Sequence, residues 1–182
     1  MKPWQHLKTI CHHRRLVRQG CFRVGLYWQG LTHDLSKFSP TEFWSGAKYF
    51  QGNRSPNSAQ REAEGYSVAW MHHKGRNRHH YEYWTDILPG TGKYGPVPMP
   101  RKYLAEMVMD RRAACMTYEG KNYTPASPLA YFSRSKERHF MHPQTARELE
   151  FLLTMLKEKG EKETFAFIRS TVLTGKPFAE GN

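Results

Sequence analysis

Ile10, His13 and Val17 fall at i, i+3 and i+7, so the first amphipathic segment carries a histidine on its apolar stripe. Gly20 stands where that helix would be interrupted, and an apolar and aromatic pattern resumes from Cys21 to Leu31. Residues 8–31 therefore predict one bent helix or two in succession. Ser39 offers an N-cap and Pro40 the favoured first helical position, which predicts a helix over 41–49 with Glu42 facing either solvent or the interior. Residues 51–58, with Gly, Asn, Ser and Pro, predict a surface loop. Residues 59–73 predict one helix, with Gly75-Arg76-Asn77 as a turn behind it. The proline- and glycine-bearing stretch 89–100 predicts a non-helical connection long enough to cover a site. Pro100 then opens a helix to about Glu119, on which Tyr103, Met107, Asp110 and Ala114 share a face. A final helical hairpin is predicted over 143–159 and 162–173, divided at Gly160. No run of alternating strands and no internal repeat appears, so the expected fold class is all-α. A metal-binding helical domain over 1–125 is expected, with a C-terminal helical extension over 126–182 packed on the same domain.

Composition narrows the setting. With 182 residues the chain suits one domain with a substantial core, and the aromatic residues, 14% of the total, carry much of that core. No apolar run approaches the roughly 18 residues that suggest a membrane span, and the N-terminus has no continuous apolar signal core, so no membrane partner is expected. Cys11, Cys21 and Cys115 are widely spaced with no CxxC, which fits a reduced, cytoplasmic protein. A net charge of +12 asks for an acidic partner: nucleic acid, a nucleotide or a phosphorylated metabolite. The positive residues are spread along the chain and form no basic tail, which argues against simple electrostatic coating of nucleic acid.

The chemistry gathers around histidine. Seven of the ten histidines lie in the doublets His12-His13, His72-His73 and His79-His80 or in the pair His33-Asp34. An imidazole beside a carboxylate gives a divalent cation one nitrogen and one oxygen ligand. His13 and Asp110 each interrupt an apolar stripe, and a buried carboxylate is costly unless it is paired or binds a cation. Alone, His13 reads as a hydrogen-bonded core histidine and Asp110 as the partner of a nearby arginine. With His33-Asp34, the four read better as a metal site. Gly90-Thr91-Gly92-Lys93 lacks the spacing of a phosphate loop, and no serine or cysteine nucleophile motif is present.

With this pattern the chain resembles the HD-domain superfamily of metal-dependent phosphohydrolases. These are helical bundles in which a histidine, a later His-Asp pair and a final aspartate converge on metal. The resemblance lies in His33-Asp34-Leu35-Ser36-Lys37 and in Met107-Val108-Met109-Asp110-Arg111-Arg112-Ala113, and it spans about residues 6–118. Tyr27-Trp28-Gln29-Gly30-Leu31-Thr32-His33-Asp34-Leu35-Ser36-Lys37 is also similar to a small uncharacterised bacterial and phage family. The resemblance implies His13, His33, Asp34 and Asp110 as ligands to a divalent transition metal: Mn, Fe, Co, Ni or Zn. His12 remains an alternative to His13. Some HD proteins bind a second metal through histidines between the His-Asp pair and the last aspartate, where His72, His73, His79 and His80 stand; the other reading of these four is an exposed basic loop.

The implied reaction is phosphoester hydrolysis on a nucleotide or other phosphorylated small molecule. In it Asp34 orients water, Lys37 stabilises phosphate, and Lys37, Lys74, Arg76 and Arg78 bind the substrate. Tyr81, Tyr83 and Trp84 read either as stacking partners for a base or as core aromatics. The alternatives are a non-enzymatic basic nucleic-acid-binding protein and an HD-type iron oxygenase.

Overall fold

Helix α1 (Pro3–Val24) runs unbroken through Gly20. Gly20 is a contact point: a Cβ there would lie 2.7 Å from Met109 Sδ, so the bare backbone lets α1 approach α6 (Arg101–Glu119) closely. The break expected at Gly20 falls instead at Gly25, whose left-handed backbone (φ 88°) closes the helix by bonding its N–H to the carbonyls of Cys21 and Phe22. Short helix α2 (Tyr27–Thr32) follows. The computed structural model describes residues 1–135 and 137–178, so positions 136 and 179–182 of the C-terminal extension lie outside the described residues.

Ser39 caps α3 (Pro40–Tyr49), accepting from the Glu42 N–H at 3.4 Å with Pro40 in the first turn. The single helix expected over 59–73 is two, α4 (Pro56–Glu64) and α5 (Val68–Lys74). Left-handed Gly65 ends the first, and the Ser67 hydroxyl caps the second. The connection before α6 contains a small antiparallel hairpin, β1 (Thr85–Ile87) and β2 (Tyr94–Pro96), with Asp86 opposite Gly95.

Helix α6 is buried on most of its circumference from Leu104 to Met109 and packs against α1, α7 (Ser127–Arg134) and α8 (Pro143–Phe167). At Gly160 the backbone of α8 leaves helical geometry (φ 74°) and the chain doubles back into a closing π-helical turn (Ile168–Val172). The reversal brings the Phe151 and Phe167 rings to 5.6 Å, whereas sixteen residues of straight helix would separate them by about 24 Å. One apolar cluster joins Val17 and Cys21 of α1, Leu104 and Met109 of α6, and Leu149, Leu152 and Ile168 of the C-terminal hairpin. The fold is all-α apart from the hairpin. No helix among the described residues is long and apolar enough to cross a membrane.

Candidate metal centre

The interior of this bundle holds a cluster of polar side chains. His13 from α1, His33 and Asp34 from the turn after α2, and Asp110 from α6 bring one ligand atom each to a common point. Asp34 sits there in a strained backbone: its φ of 54° makes it the one non-glycine among the described residues in the left-handed region. That turn lets Asp34 point inward immediately after His33.

The distances lie within a few tenths of an ångström of those between ligands sharing an ion. His13 Nε2 lies 2.9 Å from Asp110 Oδ1 and 3.8 Å from Asp34 Oδ2; His33 Nε2 lies 3.5 Å from Asp34 Oδ2 and 3.6 Å from Asp110 Oδ1. Ligands about 2.1 Å from one cation stand about 3.0–3.4 Å apart in octahedral or tetrahedral geometry. The 2.9 Å approach of His13 to Asp110 lacks hydrogen-bond geometry, because His13 Nε2 has no hydrogen-bond partner.

A second set lies on the other oxygen of Asp34. His73 Nε2 and His79 Nε2 stand 3.3 and 3.5 Å from Asp34 Oδ1, and His80 completes the group. Asp34 therefore divides its two oxygens between two ligand sets. Five buried atoms around it lack any hydrogen-bond partner: His13 Nε2, His33 Nε2, Asp34 Oδ1, His79 Nε2 and His80 Nε2. Buried polar atoms are almost always paired, so five orphans gathered around one centre make a donor set that could hold a cation. The residues fit two ions, the first with two nitrogen and two oxygen ligands and the second with three nitrogens and one oxygen.

Two glutamates brace the histidines from behind. His33 Nδ1 donates to Glu106 Oε1 at 2.9 Å, and His79 Nδ1 lies 3.2 Å from the same oxygen. His73 Nδ1 donates to Glu42 Oε2 at 2.7 Å, while His72 Nδ1 takes Glu42 Oε1 at 2.6 Å. Such bonds fix each imidazole so that Nε2 faces the centre. Neither glutamate was among the expected site residues, although each left a signal in the sequence. Glu106 stands one helical turn before Asp110, and Glu42 stands three residues after Ser39 at the position of a capping box.

The field is strongly negative. Burial alone would neutralise these acids, but His33, Lys37, His73 and His79 outweigh it and hold Asp34 far below the usual carboxylate range. Burial likewise opposes ionisation of Asp110, Glu42 and Glu106; the nearby His13 and His79 outweigh it at Asp110, and histidine hydrogen bonds do so at Glu42 and Glu106, so all three are depressed. For His33, burial opposes protonation, but the charges of Asp34 and Asp110 and the bond to Glu106 win and push it up to about 10. Three buried carboxylates, Asp34, Glu42 and Glu106, and the partly buried Asp110 thus surround a centre at which Lys37 Nζ lies 2.8 Å from Asp34 Oδ2.

The histidine doublets resolve. His13 is buried and His12 exposed. His73 faces the centre, whereas His72 is held off it by Glu42. Both His79 and His80 belong to the second set. His79 and His80 reach the centre because α5 ends at Lys74 and a turn carries the chain back.

The expected phosphate-binding trio is not at the site. Lys74, Arg76 and Arg78 line neither cavity beside the centre. Arg76 bonds the His72 carbonyl, and Arg78 bonds the Tyr103 hydroxyl and lies over the Tyr83 ring. They point outward because helix α5 stops just where they begin. Lys37 does line the inner cavity, of about 160 Å3, together with His6, His13, Asp34, His73, His80 and Asp110. An outer cavity of about 580 Å3 shares Trp70, His80, Asp110 and Tyr118 with it and contains Arg54, Tyr81, Arg111 and Tyr131. Trp84 packs on Tyr83 and Tyr103 and, like them, lines neither cavity; only Tyr81 of the expected aromatic trio does. The hairpin before α6 covers neither cavity either.

The model of a family of unknown function, DUF5662, matches residues 2–155, and the chain belongs to that family. No curated protein and no solved structure matches the chain.

Proposed function

We propose that this chain is a metal-dependent phosphohydrolase of the HD-domain kind, acting on a nucleotide or another phosphorylated small molecule through two divalent transition ions bridged by Asp34. The observation that carries the reading is the division of Asp34: Oδ2 faces His13, His33 and Lys37, and Oδ1 faces His73 and His79. When bound, the ions supply a water acidified to neutral pH and neutralise charge on the phosphoryl oxygens.

The protein's own residues do the rest. Lys37, half-buried with its ammonium at the inner cavity, donates to a phosphoryl oxygen; its pKa is held up by Asp34 against the effect of burial, so it stays charged. Glu42 and Glu106 hold the imidazoles in the tautomer that presents Nε2. Trp70 and Tyr118, on the border of the two cavities, direct the rest of the substrate into the outer one, where Arg54 and Arg111 stand paired with Glu62 and Glu137. A purely structural role for the histidines, as in a nucleic-acid-binding protein, leaves the five buried orphan atoms without a purpose.

Metal analysis of the purified chain followed by hydrolysis of p-nitrophenyl phosphate and a nucleotide panel tests the reading. Bound transition metal and turnover abolished by a chelator and restored by metal are expected. A metal-loaded chain that consumes oxygen with an organic substrate but cleaves no phosphoester would replace it with the oxygenase reading.

A further inference from the structure

The segment from Tyr27 to Phe38 is only half explained by the metal centre. His33, Asp34 and Lys37 serve the interior, but Tyr27, Trp28, Leu31, Leu35 and Phe38 are 61, 74, 50, 50 and 41% exposed. Leu26 and Gly30 seat α2 on α1, where a Cβ on Gly30 would meet Cys21 and Phe22 at 3.0 Å. The opposite face of this short helix is exposed, with Trp28 and Leu31 outermost.

A basic stripe leads into that face. Lys8, Cys11, Arg15, Arg18 and Phe22 are exposed and follow i, i+3, i+7, i+10 and i+14 along α1. Phe22 meets the Tyr27 ring edge-on at 5.3 Å, which joins the stripe to the apolar face. Arg14 ties the same region together, bonding the Leu31 and His33 carbonyls and lying over the Phe38 ring. Residues 1–33 contain six lysines and arginines and no aspartate or glutamate.

We propose that this face docks on an anionic phospholipid surface. The rings and leucines of residues 27–38 would enter the headgroup boundary while Lys8, Arg15 and Arg18 lie over lipid phosphates. A second copy of the chain would oppose like charges across such a contact. Nucleic acid would use the arginines and rings but give Leu31 and Leu35 nothing apolar to enter. The high exposure of Trp28 marks a protruding face, which suits insertion into a boundary better than reception of another protein's ridge.

The test is sedimentation of the full chain with vesicles of phosphatidylcholine alone or mixed with phosphatidylglycerol, at low and high salt. Binding only to the anionic vesicles, weakened by salt, is expected. It should fall by about tenfold or more both in Trp28→Ser/Leu31→Ser and in Arg15→Glu/Arg18→Glu, with circular dichroism and metal content unchanged. No vesicle binding, or binding indifferent to the Trp28/Leu31 pair, overturns the proposal. So does polynucleotide binding that only the arginine pair reduces without any vesicle binding, or a dimer that the Trp28/Leu31 pair dissolves. None of these readouts depends on phosphoester hydrolysis.

Discussion

Glu106 accepts from His33 Nδ1 across 2.9 Å, one helical turn from Asp110 on the same helix. The pairing makes α6 the source of both a direct ligand and the brace of another. Glu106→Gln keeps the shape but can present its amide nitrogen instead of an acceptor, and Glu106→Ala removes the brace. Both are expected to weaken metal binding about 10- to 100-fold, with alanine the worse of the two. Competition with a chelator of known affinity measures the loss. Unchanged affinity in both variants would make Glu106 a bystander.

Gly20 separates packing from chemistry. A methyl group at this position meets Met109 Sδ at 2.7 Å, and Met109 precedes the ligand Asp110. Gly20→Ala is expected to cost about 1–3 kcal/mol of stability by overpacking, less if the flexible methionine moves aside. Gly20→Leu, which Met109 cannot accommodate, should cost more and lower metal occupancy as well. Denaturant unfolding with metal analysis checks both.

Much of this centre was legible in the chain. His13 and Asp110 showed themselves as polar residues on apolar stripes, and His33-Asp34 by adjacency. What the sequence hid was direction. Lys74, Arg76 and Arg78 adjoin the ligand histidines in sequence but leave the bundle where α5 ends, since a turn sends neighbouring side chains opposite ways. Gly65 split a helix that apolar periodicity alone ran together, and the three-residue strands were too short to register as an alternating pattern. Glu42, left facing either solvent or the interior, turns inward and gives its carboxylate to His72 and His73.

His6 gives the protein an acid-sensitive joint. It lies on the α1 stripe one turn before Ile10, against Phe43, Phe50 and the bare backbone of Gly46. Burial first, and then the charge of Lys37, lower its pKa to about 4. The folded state therefore resists a proton that the unfolded chain takes up near 6.5, so stability is full above that value and lost as pH falls toward 4. Between pH 7 and 5 the loss from this residue is about 2 kcal/mol at most. His6→Met, which keeps the volume and cannot be protonated, should flatten that part of the decline in urea unfolding. An identical pH profile in the variant would show that His6 does not contribute.

The ligand sets predict different stoichiometries for different substitutions. Asp34 is the one residue common to both, through Oδ2 on one side and Oδ1 on the other. Asp34→Ala should bring metal content from about two ions per chain to near none and abolish phosphoester hydrolysis with it. Asp110→Ala removes a ligand from the first set alone, and His80→Ala one from the second, so each should leave about one ion. Lys37→Ala should keep both, because an ammonium cannot ligate a cation, while raising KM or lowering kcat. Circular dichroism must first show each variant folded, since these side chains are largely buried and metal loss can unfold a domain. Elemental analysis of the folded variants then decides. One ion in wild type, lost equally from Asp34→Ala and Asp110→Ala but kept in His80→Ala, would reduce the centre to its first site. Unchanged metal content in folded Asp34→Ala would end the claim that Asp34 bridges anything.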